Sequence, residues 1–118
     1  MHHIRRNYLR RERRSWALRQ KDLAALLGVK STTHVSRLER SKSLPSIRTA
    51  IALEVILGLP PERFLPGLYD LVEEDVMARA AKMHERLADR VDIRAVRRRK
   101  LCEEMLARSS ARAATRES

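Results

Sequence analysis

No stretch of this 118-residue chain alternates apolar and polar residues as a half-buried strand must; apolar residues recur instead at intervals of three and four. That periodicity predicts an all-α fold. The three glycines and four prolines agree with it, because they stand where periodic stretches should end. No internal repeat or low-complexity linker divides the chain.

The first helical stretch runs from about Ile4 to Arg14, with Tyr8 and Leu9 as core contacts and Trp16 and Leu18 spaced to tuck beneath it. A second covers Gln20 to Leu27. Gly28 follows its last turn, where a left-handed residue closes a helix and glycine adopts that shape at least cost. Ser31 is placed to cap a third helix running through Arg37-Leu38-Glu39-Arg40, with Val35 and Leu38 facing inward. Ser41 to Pro45 reads as a loop. Ser46 caps a fourth helix, Ile47 to Leu57, in which Ile47, Ala50, Ile51, Leu53, Val55 and Ile56 make a broad apolar face. Gly58 ends it. A short fifth helix, Pro61 to Leu65, opens on proline, whose missing N–H is harmless in a first turn, and Pro66-Gly67 stops it.

Beyond Gly67 the apolar stripe Leu68, Leu71, Val72, Val76, Ala80, Met83 and Leu87 predicts a longer helix. Its acids come early (Glu73, Glu74, Asp75) and its bases late (Lys82, Arg86, Arg90), as the helix dipole favours. A break at Val91-Asp92 precedes a last helix, Ile93 to Arg108, and residues 109–118 read as a polar, frayed tail. The chain is thus expected to divide into a module over residues 1–66, a helical extension over 67–108 and the tail.

Charge placement narrows the partner. Net charge is +11, and residues 1–48 hold 13 Lys and Arg against 3 acids. A basic block on one contiguous segment suits a polyanion, because neutralised phosphates release condensed counterions. Aromatic residues make up only 3% of the chain, which disfavours modules that stack single-stranded bases on aromatic rings. Double-stranded DNA is the favoured polyanion. Cys102 is the single cysteine, so no intramolecular disulfide is expected, and it reads as a small buried residue before a redox sensor. No zinc spacing, signal peptide or apolar run of membrane length is evident, so a cytoplasmic protein without a cofactor is expected. His2 and His3 are too few for a metal site.

Two short helices joined by a turn that starts at glycine, the second capped by Ser and rich in short polar side chains, make a unit that reads DNA. The major groove of B-DNA accepts one helix, and short polar residues on its first turns reach base edges. The preceding helix crosses the backbone, where its N-terminal N–H groups hold a phosphate. The stretch from Leu18 to Val29, then Val35-Ser-Arg-Leu-Glu-Arg40, then Leu44-Pro-Ser46 resembles the Cro-repressor-like, or XRE-type, helix-turn-helix family. With Leu9, Arg13, Leu57-Gly58 and Phe64-Leu65, the resemblance covers about residues 5–66. It implies a five-helix, phage-repressor-like helix-turn-helix domain followed by a C-terminal helical extension. It also implies that Gln20 braces a backbone phosphate at a helix N-terminus. Thr32, Thr33, His34, Ser36 and Arg37, with Lys30 and Ser31 before them, would meet bases or flanking phosphates. Arg40 and Lys42 would lie along the next stretch of backbone.

Two departures from that family pattern stand out. Arg19 occupies the position before the glutamine where the family usually has a Ser or Thr cap. The turn from Gly28 to Val35 is one residue longer than the commonest spacing; alignment backwards from Val35 makes Ser31 the cap.

Plainer readings stand beside these. On an ordinary helix Thr32, Thr33 and Ser36 would be solvated surface. His34 is either a DNA contact or simply exposed, and no Asp or Cys at local spacing makes it a catalytic base or metal ligand. Arg37 either meets a phosphate or pairs with Glu39 or Glu12. The run Arg94, Arg97, Arg98, Arg99 and Lys100 is either a second DNA contact or a solvated face balancing the acids at 70–75. The stripe from Leu68 to Leu87 packs within the chain or forms a homodimer seam, the latter favoured because a complete five-helix module leaves little surface to cover.

The leading functional expectation is a sequence-specific DNA-binding regulator acting as a repressor. The alternative is an antitoxin-like interaction protein that binds a partner through residues 68–108 and autoregulates its operon. Nothing in the sequence supplies an enzyme's paired carboxylates, activated nucleophile, phosphate-cradling glycine loop or metal constellation.

Overall fold

The computed structural model describes residues 6–117, with side chains as far as Thr115. Expectations that fall on residues 1–5, the start of the first helix at Ile4 among them, lie outside the described residues. All regular structure among the described residues is helical: α1 (Leu9–Ser15), α2 (Gln20–Leu27), α3 (Thr32–Glu39), α4 (Ile47–Leu57), α5 (Pro61–Phe64), α6 (Pro66–Arg86) and α7 (Ile93–Glu117). The chain divides into two compact units between Leu71 and Val72.

The first unit is built around Leu9, Leu23, Val35, Leu53 and Phe64, all fully buried, with Ala24, Leu38, Leu57 and Leu65 beside them. These come one or two from each of α1 to α5, so no helix of the unit can leave without opening the same core. At roughly 1.5–3 kcal/mol for each large apolar side chain, this shared burial is what holds five short helices that would not be stable alone. The incoming chain is tied to the far end of the unit: Tyr8 N–H donates to Phe64 C=O at 2.7 Å, and Arg6 pairs with Asp70.

Three helices end in the same way. After α2, Gly28 is left-handed (φ +75°); its N–H donates to Ala25 C=O, and that of Val29 to Ala24 C=O. The same pair of bonds closes α1 around Ala17 (φ +59°) and α3 around Ser41 (φ +58°). Both residues carry a Cβ in a region that favours glycine, a strain of about 1–2 kcal/mol apiece. Asn7 helps to hold the second of these turns. Its side-chain amide donates to Leu38 C=O at 2.8 Å and to Ser41 Oγ at 3.0 Å, while its oxygen accepts from Leu9 N–H.

The closure at Ala17 corrects the expectation for Trp16, which is 66% exposed and does not tuck beneath α1. Arg13 of α1 is buried instead. Its guanidinium donates to Leu18 C=O at 2.7 Å and, through Nε at 2.5 Å and Nη2 at 3.2 Å, to the buried carboxylate of Glu39. Glu39 therefore pairs with Arg13; Arg37 pairs with neither Glu39 nor Glu12 and instead donates to Lys42 C=O at 3.3 Å. The predicted face of α4 is also narrower than expected. Leu53 and Leu57 are buried, but Ile47, Ile51 and Val55 are 81%, 57% and 79% exposed, because the short neighbours of α4 cover only one side. Pro66 starts α6 where it was expected to stop α5. Only Leu65, with φ −125° and ψ 56°, interrupts the two helices, and proline suits a first turn.

The second unit is an antiparallel hairpin of α6 from Val72 onward and α7. Glu103 of α7 meets His84 at 2.9 Å, and further along α7 Ser109 donates to Glu73 at 3.0 Å and Arg112 pairs with the same carboxylate. Ala80, Leu87, Ala95 and Cys102 are the buried residues of the seam, and Cys102 is thus the small buried residue expected. Arg99 closes the turn by donating to Leu87 C=O and, at 2.6 Å, to Arg90 C=O. The helix α7 does not end at Arg108: residues 109–117 continue it. Ala107, Ala111, Ala113 and Ala114 supply strong helix formers, and Glu73 anchors Ser109 and Arg112.

Candidate nucleic-acid interface

The start of α2 solves the missing-cap problem from three residues away. Arg19 has no acceptor to offer, but the carboxylate of Asp22 reaches back and accepts from Arg19 N–H at 2.8 Å. The guanidinium of Arg19 grips the same carboxylate at 2.9 and 3.0 Å. Those side-chain and backbone hydrogen bonds hold the Asp22 carboxyl at about 2, well below the ordinary carboxylate range. Behind it, Gln20 donates from its side-chain amide to Glu39 at 3.1 Å, joining α2 to the buried Arg13–Glu39 pair.

Gly28 ends α2, and Lys30 and Ser31 bring the chain to α3. Ser31 is the cap, as the alignment from Val35 requires: its Oγ accepts from Thr33 N–H at 3.0 Å. The register of α3 then follows from Val35, Leu38 and Glu39, which are buried. At 100° per residue, Thr32, Ser36, Arg40, Thr33 and Arg37 fall on an outward arc of about 140°. Thr32, Thr33, Arg37 and Arg40 are exposed and Ser36 is half-buried. Arg40 donates to Ser36 Oγ from Nε at 3.1 Å and Nη2 at 2.6 Å, which lays the guanidinium along that arc. Lys30, Ser31 and Lys42 are exposed at its two ends; Lys42 is fixed by its backbone N–H on Arg37 C=O at 2.8 Å.

His34 stands apart from this group. It is half-buried, off the outward arc, and its Nε2 is shielded from water without a hydrogen-bond partner among the described residues. Gln20 is half-buried, with one amide N–H committed to Glu39. Sequence reasoning gave Arg13 only a place in the family resemblance, Glu39 only a pairing with Arg37 and Asn7 no role, yet these residues fix the two helices to α1. A signal was present: Glu39 lies four residues after Val35 and Arg13 four after Leu9, so both put a charge on a core-facing position.

The unit so described presents a capped helix with short polar side chains and cations on its outer face, locked at a fixed angle to a second helix. Residues 9–64 match the helix-turn-helix family. No curated protein and no solved structure gives a match. Among the described residues no helix is long and apolar enough to cross a membrane. The matched span runs from the first residue of α1 to the last of α5, the five helices that share the core. Residues 9–64 of this chain form a DNA-binding helix-turn-helix domain of the Cro-repressor-like, XRE type.

Proposed function

We propose that the protein is a repressor that binds a near-palindromic operator as a homodimer and blocks transcription by occupying it. The observation that carries this reading is the outward arc of α3, where capped, short side chains lead and cations follow. In the proposed complex Thr32, Thr33 and Ser36 meet base edges, and Lys30, Ser31, Arg37, Arg40 and Lys42 meet bases or the flanking phosphates. His34 joins them only after turning its ring outward from its half-buried position. The Gln20 amide keeps a second N–H for a phosphate while the first stays on Glu39, so the buried pair would set the height of that contact.

Self-association through residues 68–87 is supported by Val72, Val76 and Met83, which are exposed along one face of α6. A two-fold dimer reads half-sites one helical turn, or a multiple of it, apart. Such a protein would work in the cytoplasm, at the nucleoid when bound, and without a cofactor.

The antitoxin-like reading also has an observation in its favour. Met77, Ala80, Ala81, His84, Cys102 and Leu106 line an apolar groove of about 500 Å³ within the second unit, room for side chains of a protein partner. The mass of the purified protein in solution separates the two: a dimer alone supports the first, a monomer that assembles only with a co-expressed partner the second.

Division of labour along α3 tests the interface itself. Thr33→Ala should change preference at one base pair by about 1–3 kcal/mol, whereas Lys42→Ala should weaken all sequences alike and lower the salt slope by about one unit. Equal losses on specific and random duplexes for both variants would overturn the placement of the reading helix.

A further inference from the structure

Two residues of the basic run of α7, Arg98 and Arg99, face the end of α6 within the second unit. Arg98 lines a groove of about 340 Å³ together with Met83, Arg86, Leu87 and Arg90. Leu87 is buried, so the groove has an apolar floor and guanidinium-bearing walls. Two nearby acids, Glu85 and Asp89, are exposed, and neither lines it. The third, Asp92, is already engaged: it accepts from Arg90 Nε at 3.0 Å and from Ala95 N–H at 3.3 Å. Arg86 and Arg98 are exposed and, among the described residues, have no ion-pair or hydrogen-bond partner.

Two unpaired cations are thus held on either side of one groove by helices whose turn is clamped by Arg99 on the carbonyls of Leu87 and Arg90. Their mutual repulsion becomes attraction when an anion lies between them. The residue type says which anion. Of the seven basic residues between positions 86 and 100, six are arginine, whose planar fork grips two oxygens of one phosphate, where lysine offers a point charge. A flexible basic tail has no need of that fork; a site that positions a phosphodiester does. The same chain carries a duplex on its helix-turn-helix domain, so phosphodiesters reach this groove at raised effective concentration.

We infer that the groove between Arg86 and Arg98 is a second phosphodiester site, which takes the backbone of duplex DNA. This rests on the operator reading above and adds a footprint to it. Each neutralised phosphate contributes about 0.9 to the slope of log affinity against log salt. In the 118-residue chain, Arg86→Gln with Arg98→Gln should lower that slope by about one unit for each bound protomer, on the preferred and on random duplex alike. The base preference should be unchanged. Both side chains are exposed, so helicity by circular dichroism should match the wild type. The pair Arg86→Lys with Arg98→Lys, which keeps the charge, should recover most of the slope and shows whether any loss came from misfolding.

An unchanged slope in the glutamine variant, with base selection intact in the wild type, would overturn this inference and leave the operator reading standing. A wild type that selects no duplex sequence would overturn the operator reading, and the slope on random duplex would still decide the groove. Capture of the protein by vesicles of phosphatidylglycerol and phosphatidylcholine, lost in the glutamine variant while the duplex slope holds, would assign the groove to a membrane surface and refute the proposal.

Discussion

Glu39 is the residue on which the helix-turn-helix geometry most depends, and Glu39→Ala measures that dependence. Its carboxylate accepts three hydrogen bonds, from Arg13 at 2.5 and 3.2 Å and from Gln20 at 3.1 Å. The side chains of the pair are only 7% and 2% exposed, so water cannot replace what is removed. Truncation leaves the Arg13 guanidinium buried with Leu18 C=O as its remaining hydrogen-bond acceptor, a loss of about 3–5 kcal/mol. Counting from the bonds gives a similar figure, since hydrogen bonds to charged groups contribute about 1.5–3 kcal/mol each and the two guanidinium bonds dominate. A domain of this size is stable by roughly 5–10 kcal/mol, so the variant should sit close to its unfolding threshold. Urea unfolding followed by circular dichroism reads the change as a lower midpoint at unchanged slope. The double change Arg13→Met with Glu39→Leu removes both charges and fills the space with apolar atoms. It should fold within about 1 kcal/mol of the wild type or more stably, because neither buried charge is left alone. A loss under about 1 kcal/mol for Glu39→Ala, or a double variant as unstable as the sum of the singles, would refute the account of a mutually dependent buried pair.

Three further outcomes follow from the structure. Asp22 has a native pKa of about 2, below its unfolded value of about 4, so its contribution is present above that unfolded value and is lost as pH falls from 4 through 2. Asp22→Asn should flatten the acid limb of the stability profile in that window, and an unaltered limb in acid titration would contradict the back-reaching cap. Ala17→Gly should stabilise the protein by up to about 1 kcal/mol in urea unfolding, because glycine relieves the left-handed strain at φ +59°; destabilisation would mean that Ala17 is not strained. On α4, Leu53→Ala should cost about 2–5 kcal/mol and Val55→Ala no more than about 0.5, so equal losses would show that α4 is covered on both sides.

Helix starts and stops that rest on local chemistry were legible in the sequence. Ser31 and Ser46 each bond a first-turn N–H, and Gly28 and Gly58 are left-handed, because hydroxyl caps and glycine closures depend on residues within one turn. The closures at Ala17 and Ser41 are geometrically the same but announce nothing, since neither residue type signals a positive φ. Their support is tertiary: Asn7 holds the turn at Ser41 from outside it, and the Arg13 side chain that donates to Leu18 C=O is itself fixed by Glu39 of α3. Trp16 and the outer face of α4 misled for a related reason. An apolar residue at helical spacing shows which face could be buried, not whether a neighbour is long enough to cover it. At the interface, the outward set of α3 could be read once Val35 fixed the register. The half-buried setting of His34 could not, because a helix flank is covered or bare according to elements distant in sequence. Beyond Arg108, polarity suggested a tail, while alanine content and the acceptor at Glu73 decide for helix.

Selection of bound fragments from a random pool of duplex DNA at about 150 mM salt, with the mass of the bound species read alongside, tests the central claim most directly. The account predicts a near-palindromic consensus recovered by a dimer, its half-sites about 10 base pairs or a multiple of that apart. Salt-sensitive binding with no consensus would contradict it, leaving a basic surface that coats DNA without reading it.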